Sequence, residues 1–308
     1  MAKEMHIRMW PFGRKDGSGS IPRLLAAGRT DVGRVRAGNE DSYKVLSGEK
    51  SPVGIDALLV VADGMGGHAA GEVASRMAVE GIVGLITGSD DLPSVEGQGY
   101  LRFLGGIVQQ VNGAVFQASQ DEDKRGMGTT CTVAVVRGDQ LYVSHVGDSR
   151  AYLLRAGSLH QITQDHSWVE EQVALGLLGR EEARAHPNRN IITRAVGLEQ
   201  KVEVDGYLVS LADKDILLLC SDGLTTMIED SQIESILSEH GPAEACRALI
   251  SAANCQGGHD NVTVAVARVT GGPSSAPLPA SPHPDADTVE IARSPSVWRK
   301  FSRSVLRR

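Results

Sequence analysis

The sequence predicts a mixed α and β domain whose sheets are antiparallel and built from hairpins. Two apolar runs, Thr129–Val136 and Leu141–Val146, are separated by Arg137-Gly138-Asp139-Gln140, and Ala151–Leu154 and Leu159–Ile162 flank Arg155-Ala156-Gly157-Ser158. Adjacent hairpins favour antiparallel pairing over a wound parallel sheet. Segments of helical spacing lie among these strands: in Tyr100–Ala118, residues Leu101, Leu104, Val108, Val111 and Val115 share one stripe. Glycine is abundant (35 residues) and aromatics are scarce (4%), so turns are expected to be many.

In chain order, residues 1–27 read as a flexible basic leader, residues 11–22 being rich in Gly, Ser, Pro and Lys/Arg. The domain is expected over residues 28–270. Leu58–Ala62 is a continuous apolar run that stops at Asp63, and Ala69–Leu85 has small and apolar residues at helical spacing. After the two hairpins, residues 165–190 turn polar and helix-prone, with Gly176, Gly179 and a His186-Pro187 break, and read as a lid rather than a core element. Tyr207–Ser210 and Asp215–Cys220 resume strands, Ser231–Ser238 and Pro242–Ala253 read as helices, and Val262–Val269 closes the sheet. Residues 271–290 form a Pro/Ser-rich linker that cannot pack a core, and residues 291–308 a basic amphipathic tail. As a helix, that tail puts Trp298, Phe301 and Val305 on one face among basic residues, which suits peripheral membrane contact or a docking peptide; a disordered solubilising end is the alternative. Thr288, Ser294 and Ser296 are candidate phosphorylation sites.

A net charge of −7 argues against nucleic acid as the main partner, without excluding phosphorylated substrates. Cys131, Cys220, Cys246 and Cys255 lack the close paired spacing of a zinc or redox motif and read as reduced thiols. No run approaches the roughly twenty apolar residues of a spanning helix. The first residues carry no apolar signal region, so a cytoplasmic protein is expected.

Chemistry concentrates in four acidic motifs: Asp63-Gly64-Met65-Gly66-Gly67, His145-Val146-Gly147-Asp148-Ser149-Arg150, Cys220-Ser221-Asp222-Gly223 and Gly258-His259-Asp260-Asn261. Each carboxylate stands beside an apolar run, where it costs solvation energy unless something positive faces it. Singly, each reads as a turn former or helix cap; four together suggest strand ends converging on shared cations. Hard carboxylate oxygens suit Mg²⁺ and Mn²⁺, whereas Zn²⁺ more often recruits His or Cys. Two such ions about 3.5–4 Å apart activate a shared water. The turn Gly33-Arg34-Val35-Arg36-Ala37-Gly38-Asn39-Glu40-Asp41 adds Arg36, able to hold phosphate oxygens bidentately, and two carboxylates that can order water.

These residues, with Gly126-Met127-Gly128-Thr129-Thr130 and Ile192-Thr193-Arg194-Ala195, occur in an order that resembles the metal-dependent PP2C-type (PPM) protein serine/threonine phosphatases, especially the compact bacterial ones. The resemblance covers roughly residues 28–269 and neither tail. It implies an α+β fold, a four-layer αββα sandwich of two antiparallel sheets flanked by helices. It implies two Mn²⁺ or Mg²⁺ ions, with Asp63 as the bridging carboxylate, Gly64 as a carbonyl ligand, and Asp222 and Asp260 as ligands on the other side of the bridge. Asp148, with Asp222, matches a third and weaker site. Glu40 and Asp41 match positions that organise metal-bound water, Arg36 matches the phosphate-binding arginine, and residues 165–190 match a mobile flap.

The implied reaction is direct in-line hydrolysis of phosphoserine or phosphothreonine by a metal-bridging hydroxide, with no phosphoenzyme. One departure concerns the general acid: many eukaryotic members have His after the Asp-Gly pair, whereas this chain has Met65, which cannot donate a proton. His68 lies one helical turn on and His166 at the start of the flap, and neither receives an assignment. The expected partners are phosphorylated proteins, Ser/Thr kinases and their substrates, and the expected state is a monomer. The competing readings are a catalytically inactive phosphoprotein-binding module of the same fold and a phosphatase that switches a partner-binding regulator.

Overall fold

The computed structural model describes residues 6–9, 23–66, 70–88 and 95–271. One sheet runs β1 (His6–Met9), β10 (Asp205–Ser210), β7 (Gln140–Val146), β6 (Cys131–Arg137), β4 (Ala57–Met65), β3 (Asp41–Ser47), with the short β5 (Gly128–Thr129) also on β4. The other runs β2 (Arg23–Asp31), β12 (Val262–Thr270), β11 (Ile216–Cys220), β8 (Arg150–Arg155), β9 (Ser158–Gln161). Pairing is antiparallel except between β1 and β10. Both predicted hairpins are present, as β6–β7 and β8–β9.

The strand sequences explain the layering. In β4, Leu58, Val60 and Ala62 pack with α1 (Ala70–Thr87) and α2 (Gln98–Ala118), while Ala57, Leu59 and Val61 face the opposite way into a core shared with the second sheet. In β11, Leu217 and Leu219 join that inter-sheet core, whereas Ile216, Leu218 and Cys220 pack with α6 (Asp230–Glu239) and α7 (Pro242–Cys255). Successive side chains alternate across a sheet. A strand covered on both faces must therefore be apolar at every position, which is why these antiparallel strands read as unbroken hydrophobic runs. The four layers are helices, sheet, sheet, helices. The stripe predicted on α2 is buried in full: Leu101, Leu104, Val108, Val111 and Val115.

Two expectations need correction. The sheet begins before residue 28: β2 starts at Arg23 and pairs with β12 along its whole length, Arg23 lying opposite Thr270, and the backbone of His6–Met9 runs beside β10. Leu24 and Ala26 pack against the inter-sheet core, so part of the supposed leader belongs to the domain. The Gly33–Asp41 turn also ends earlier than its charge suggested, because Asp41 already opens β3, opposite Asp63. Residues 165–190 do leave the sheets, carrying α3 (Trp168–Ala174) and α4 (Arg180–Ala185). His68, the linker residues 272–290 and the tail residues 291–308, with Thr288, Ser294 and Ser296, lie outside the described residues. No described helix is long and apolar enough to cross a membrane.

Leu59 is fully buried between the sheets. Leu59→Ala is expected to lower unfolding stability by about 2–5 kcal/mol in urea denaturation, the usual transfer-plus-cavity cost. Val53→Ala, at a side chain left 95% exposed, should stay within about 0.5 kcal/mol of the parent.

Candidate metal centre

The predicted carboxylates arrive from separate strand ends. Asp41 opens β3 and Asp63 lies near the end of β4, directly across the ladder. Asp148 sits in the turn between β7 and β8, Asp222 opens the short helix α5 (Asp222–Thr225) after β11, and Asp260 lies two residues before β12. The electrostatic coupling of Asp63 to Asp41, Asp222, Asp148 and Asp260 places all five in one neighbourhood.

Backbone contacts of small residues permit that convergence. A Cβ on Gly64 would lie 2.1 Å from the Gly71 carbonyl oxygen and 2.6 Å from that of Glu40, so only glycine fits. Gly223 is packed equally hard, 2.0 Å from the Asn261 carbonyl by the same construction. Thr130 anchors β4: its Oγ1 accepts from Asp63 N–H (2.8 Å), its own N–H donates to Asp63 O (2.9 Å), and its hydroxyl meets that of Ser149 (2.7 Å).

Asn261 ties the Arg36 turn to the centre. Its Oδ1 accepts from Glu40 N–H (2.8 Å), and its Nδ2 donates to the carbonyls of Val32 and Gly38 (both 2.9 Å). Beside it, Asp260 accepts from Asn261 N–H on Oδ1 (2.8 Å) and from Arg36 Nη2 on Oδ2 (2.7 Å). The Arg36 side chain remains 53% exposed and borders a cleft of about 450 Å³ lined also by Ala37, Gly38, Asn39, Glu40, Glu72 and Asn261. Ser221 is a second anchor that sequence reasoning did not single out: its hydroxyl donates to Asp41 Oδ2 (2.8 Å) and accepts from Thr263 N–H (2.9 Å).

The electrostatics of the centre are those of confined like charges. Asp63 and Asp148 are pushed well above the usual carboxylate range, first by removal from water and then by the neighbouring aspartates. Asp41 is raised to about 7 and Asp222 to about 6, again by burial first. The neighbouring Asp260 adds to the rise at Asp222, while Arg36 and Arg150 offset part of it. Buried Oδ1 atoms of Asp41 and Asp148 have no hydrogen-bond partner. Among the described residues no three His, Cys, Asp or Glu side chains already close on one point as a finished metal site does. The fit to hard divalent cations rests instead on the donor chemistry: all-oxygen groups, two orphaned carboxylate oxygens, and repulsion that positive charge relieves.

His166, at the start of the flap, is 4% exposed, accepts from Gly147 N–H at Nδ1 (3.0 Å) and packs against buried His145 at a tilt of 39°, 4.8 Å between ring centres. Burial and the adjacent His166 lower His145 to about 3, so its ring is neutral. Arg150 closes the same region from below, paired with Asp165 through Nη2–Oδ2 at 2.7 Å.

A family model described as protein phosphatase 2C matches residues 36–246. The chain is 42% identical over 238 residues to the serine/threonine phosphatase Stp of Listeria welshimeri, covering 77% of this chain and 92% of that one. It superposes on the Mycobacterium tuberculosis serine/threonine phosphatase PstP/Ppp with a TM-score of 0.71 and 41% identity, covering 80% and 99% of the two chains. A PstP catalytic domain in complex with two manganese ions is similar at a TM-score of 0.68 and 40% identity, with 81% and 99% covered.

Asn261→Ala strands three backbone partners and should cost about 1–3 kcal/mol in thermal or urea unfolding. The raised carboxylates also set a pH dependence. Asp41 and Asp222 hold protons more tightly folded than unfolded, where the pKa is about 3.9, so the stability they contribute is fully present below that value. It is lost as pH rises through about 6 to 7. In EDTA, the melting temperature is therefore expected to fall between pH 5 and pH 7.5. Asp41→Asn should flatten that slope; a slope unchanged by the substitution contradicts the assignment.

Proposed function

The chain belongs to the protein phosphatase 2C family, and from that premise we infer that Asp63, Gly64, Asp148, Asp222 and Asp260 hold divalent cations at the centre of a protein serine/threonine phosphatase. The reaction is metal-dependent hydrolysis of phosphoserine and phosphothreonine in proteins. The observation that supports the site is the mutual raising of buried carboxylates delivered by four separate segments. Mn²⁺ or Mg²⁺ suits these oxygen donors, two ions in the core site and a third, weaker one at Asp148 and Asp222. When bound, such ions supply Lewis acidity and activate water toward phosphorus.

The chain's own residues do the rest. Asp260 holds one edge of the Arg36 guanidinium, so the exposed remainder of the fork points its donors at phosphate oxygens in the adjoining cleft. Asp41 accepts the Ser221 hydroxyl on Oδ2, leaving Oδ1 to orient water. Glu40, anchored through its backbone by Asn261, lines the same cleft and serves as a second water acceptor. Neither Met65 nor buried His166 is placed to protonate the departing alkoxide, so water in the cleft supplies that proton. Every carboxylate the reaction needs is present, and nothing favours the inactive binding module.

Phosphorylated proteins are the substrates. Ser/Thr kinases among them, a monomeric working unit and a cytoplasmic location are part of the same proposal; the buried free thiols Cys131, Cys220 and Cys246 suit the last of these alone. Contact with a membrane or docking surface through residues 291–308 also remains a proposal.

The test is phosphate release from a phosphothreonine peptide. Activity is expected with Mn²⁺, none in EDTA, and a fall of at least about 100-fold in Asp222→Asn, the upper end of what even outer-sphere changes cost. Arg36→Lys should lower kcat/KM about tenfold or more, since one charge-assisted hydrogen bond contributes about 1.5–3 kcal/mol. Metal-independent turnover, or full activity in Asp222→Asn, overturns the assignment.

A further inference from the structure

The chain enters the flap through Asp165–Trp168 and leaves it through residues 191–194, and the two segments form a neck. Ser167 bridges to Ile192, Trp168 N–H donates to Ile191 O (2.8 Å), and Thr193 N–H donates to His166 O (2.8 Å). His166 lies inside this neck and reaches the Gly147-Asp148 turn by two bonds of opposite sense. Its backbone N–H donates to Gly147 O at 2.7 Å, and its Nδ1 accepts from Gly147 N–H at 3.0 Å. Both polar groups of the residue preceding Asp148 are thus held by one side chain and its own backbone. Gly147 has no freedom to drift: its φ is +112°, and a Cβ there would stand 2.6 Å from the Thr130 side chain.

The bonding fixes the tautomer. An Nδ1 that accepts carries no proton, so the neutral ring is protonated at Nε2. That nitrogen lies 3.3 Å from Asp205 Oδ2 and 3.2 Å from Arg194 Nη1; with Nδ1 accepting, its proton goes to Asp205 Oδ2, and Arg194 Nη1 donates to Oδ1 of the same carboxylate at 3.0 Å. Asp205 is 7% exposed and belongs to β10; Arg194 belongs to the returning neck. A histidine that merely fills space needs no acceptor at one particular ring position. This one joins three elements through both ring nitrogens.

We propose that His166 is a positioning residue that locks the Gly147-Asp148 turn to the neck of the flap, so that the flap's anchor sets where the Asp148 carboxylate stands. The inference rests on the reading of Asp148 as a cation ligand. Histidines and their carboxylate or backbone partners behind metal ligands commonly set ligand orientation, and their loss costs about 10–100-fold in metal affinity.

Two measurements test it. Long-range ¹H–¹⁵N spectra of the wild-type protein with Mg²⁺ should show His166 as the Nε2–H tautomer; an Nδ1–H tautomer overturns the proposal, because that nitrogen could not accept from Gly147. The second compares His166→Asn, whose side chain puts an acceptor near the Nδ1 position, with His166→Gln, whose amide reaches toward the Nε2 position. Free Mn²⁺ is followed by electron paramagnetic resonance during titration. His166→Asn should keep the weakest-bound Mn²⁺ within about threefold of wild type, while His166→Gln weakens it about tenfold. The tighter ions should be unaffected in both. Two variants that behave alike, whether intact or impaired, overturn the proposal alone. Wild-type protein that takes up no Mn²⁺ overturns the metal reading beneath it as well.

Discussion

The constraint on which this structure depends is the confinement of five aspartates at one end of two packed sheets. Asp41, Asp63, Asp148, Asp222 and Asp260 each resist ionisation or raise a neighbour's resistance to it. Like charges at such range are unfavourable in any medium less polar than water. A chain that keeps them together either holds protons on some of them or binds positive charge. Two cations are already at hand: Arg36 pairs with Asp260, and Arg150 eases Asp148 and Asp222.

The sandwich exists in a form that can bear this load. Its central strands, such as β4 and β11, are covered on both faces, and the carboxylates sit only where strands end. Around them the contacts are made by backbone: Gly64 against Gly71 and Glu40, Gly223 against Asn261, Gly147 against Thr130. A buried ion pair far from the centre, Arg155 with Asp215 at 5% and 1% exposure, ties β8 to the start of β11. Here each charge has its opposite, in contrast to the acidic end. The acidic cluster thus occupies the part of the molecule where packing is tight and charge is unbalanced.

Much of this was legible in the sequence because it is local. An apolar run that stops at Asp-Gly marks a strand end, and the α2 stripe at Leu101, Leu104, Val108, Val111 and Val115 needs no tertiary information. The half-buried edge strand β3 was harder: Asp41–Ser47 mixes polar and apolar residues, and its N-terminal carboxylate read as part of a charged turn. Residues that act over long separations were illegible in role. Asn261 was visible beside Asp260, but its three hydrogen bonds reach residues more than 200 positions away. Ser221 acts on Asp41 from 180 positions away. His166 stood out only as a histidine near the flap, since its meaning comes from Gly147, on a different strand end.

The measurement that bears most directly on the central claim is a calorimetric titration of the metal-free protein with Mn²⁺ at pH 7.5, beside Asp63→Asn. Because Asp63 is coupled to all four other aspartates, the wild-type chain is predicted to take up at least two ions, release protons as it does so, and melt at a higher temperature when loaded. Asp63→Asn is predicted to lose the tightest uptake and most of the thermal shift. Binding of no ion, or uptake without proton release and undiminished in Asp63→Asn, would contradict the account.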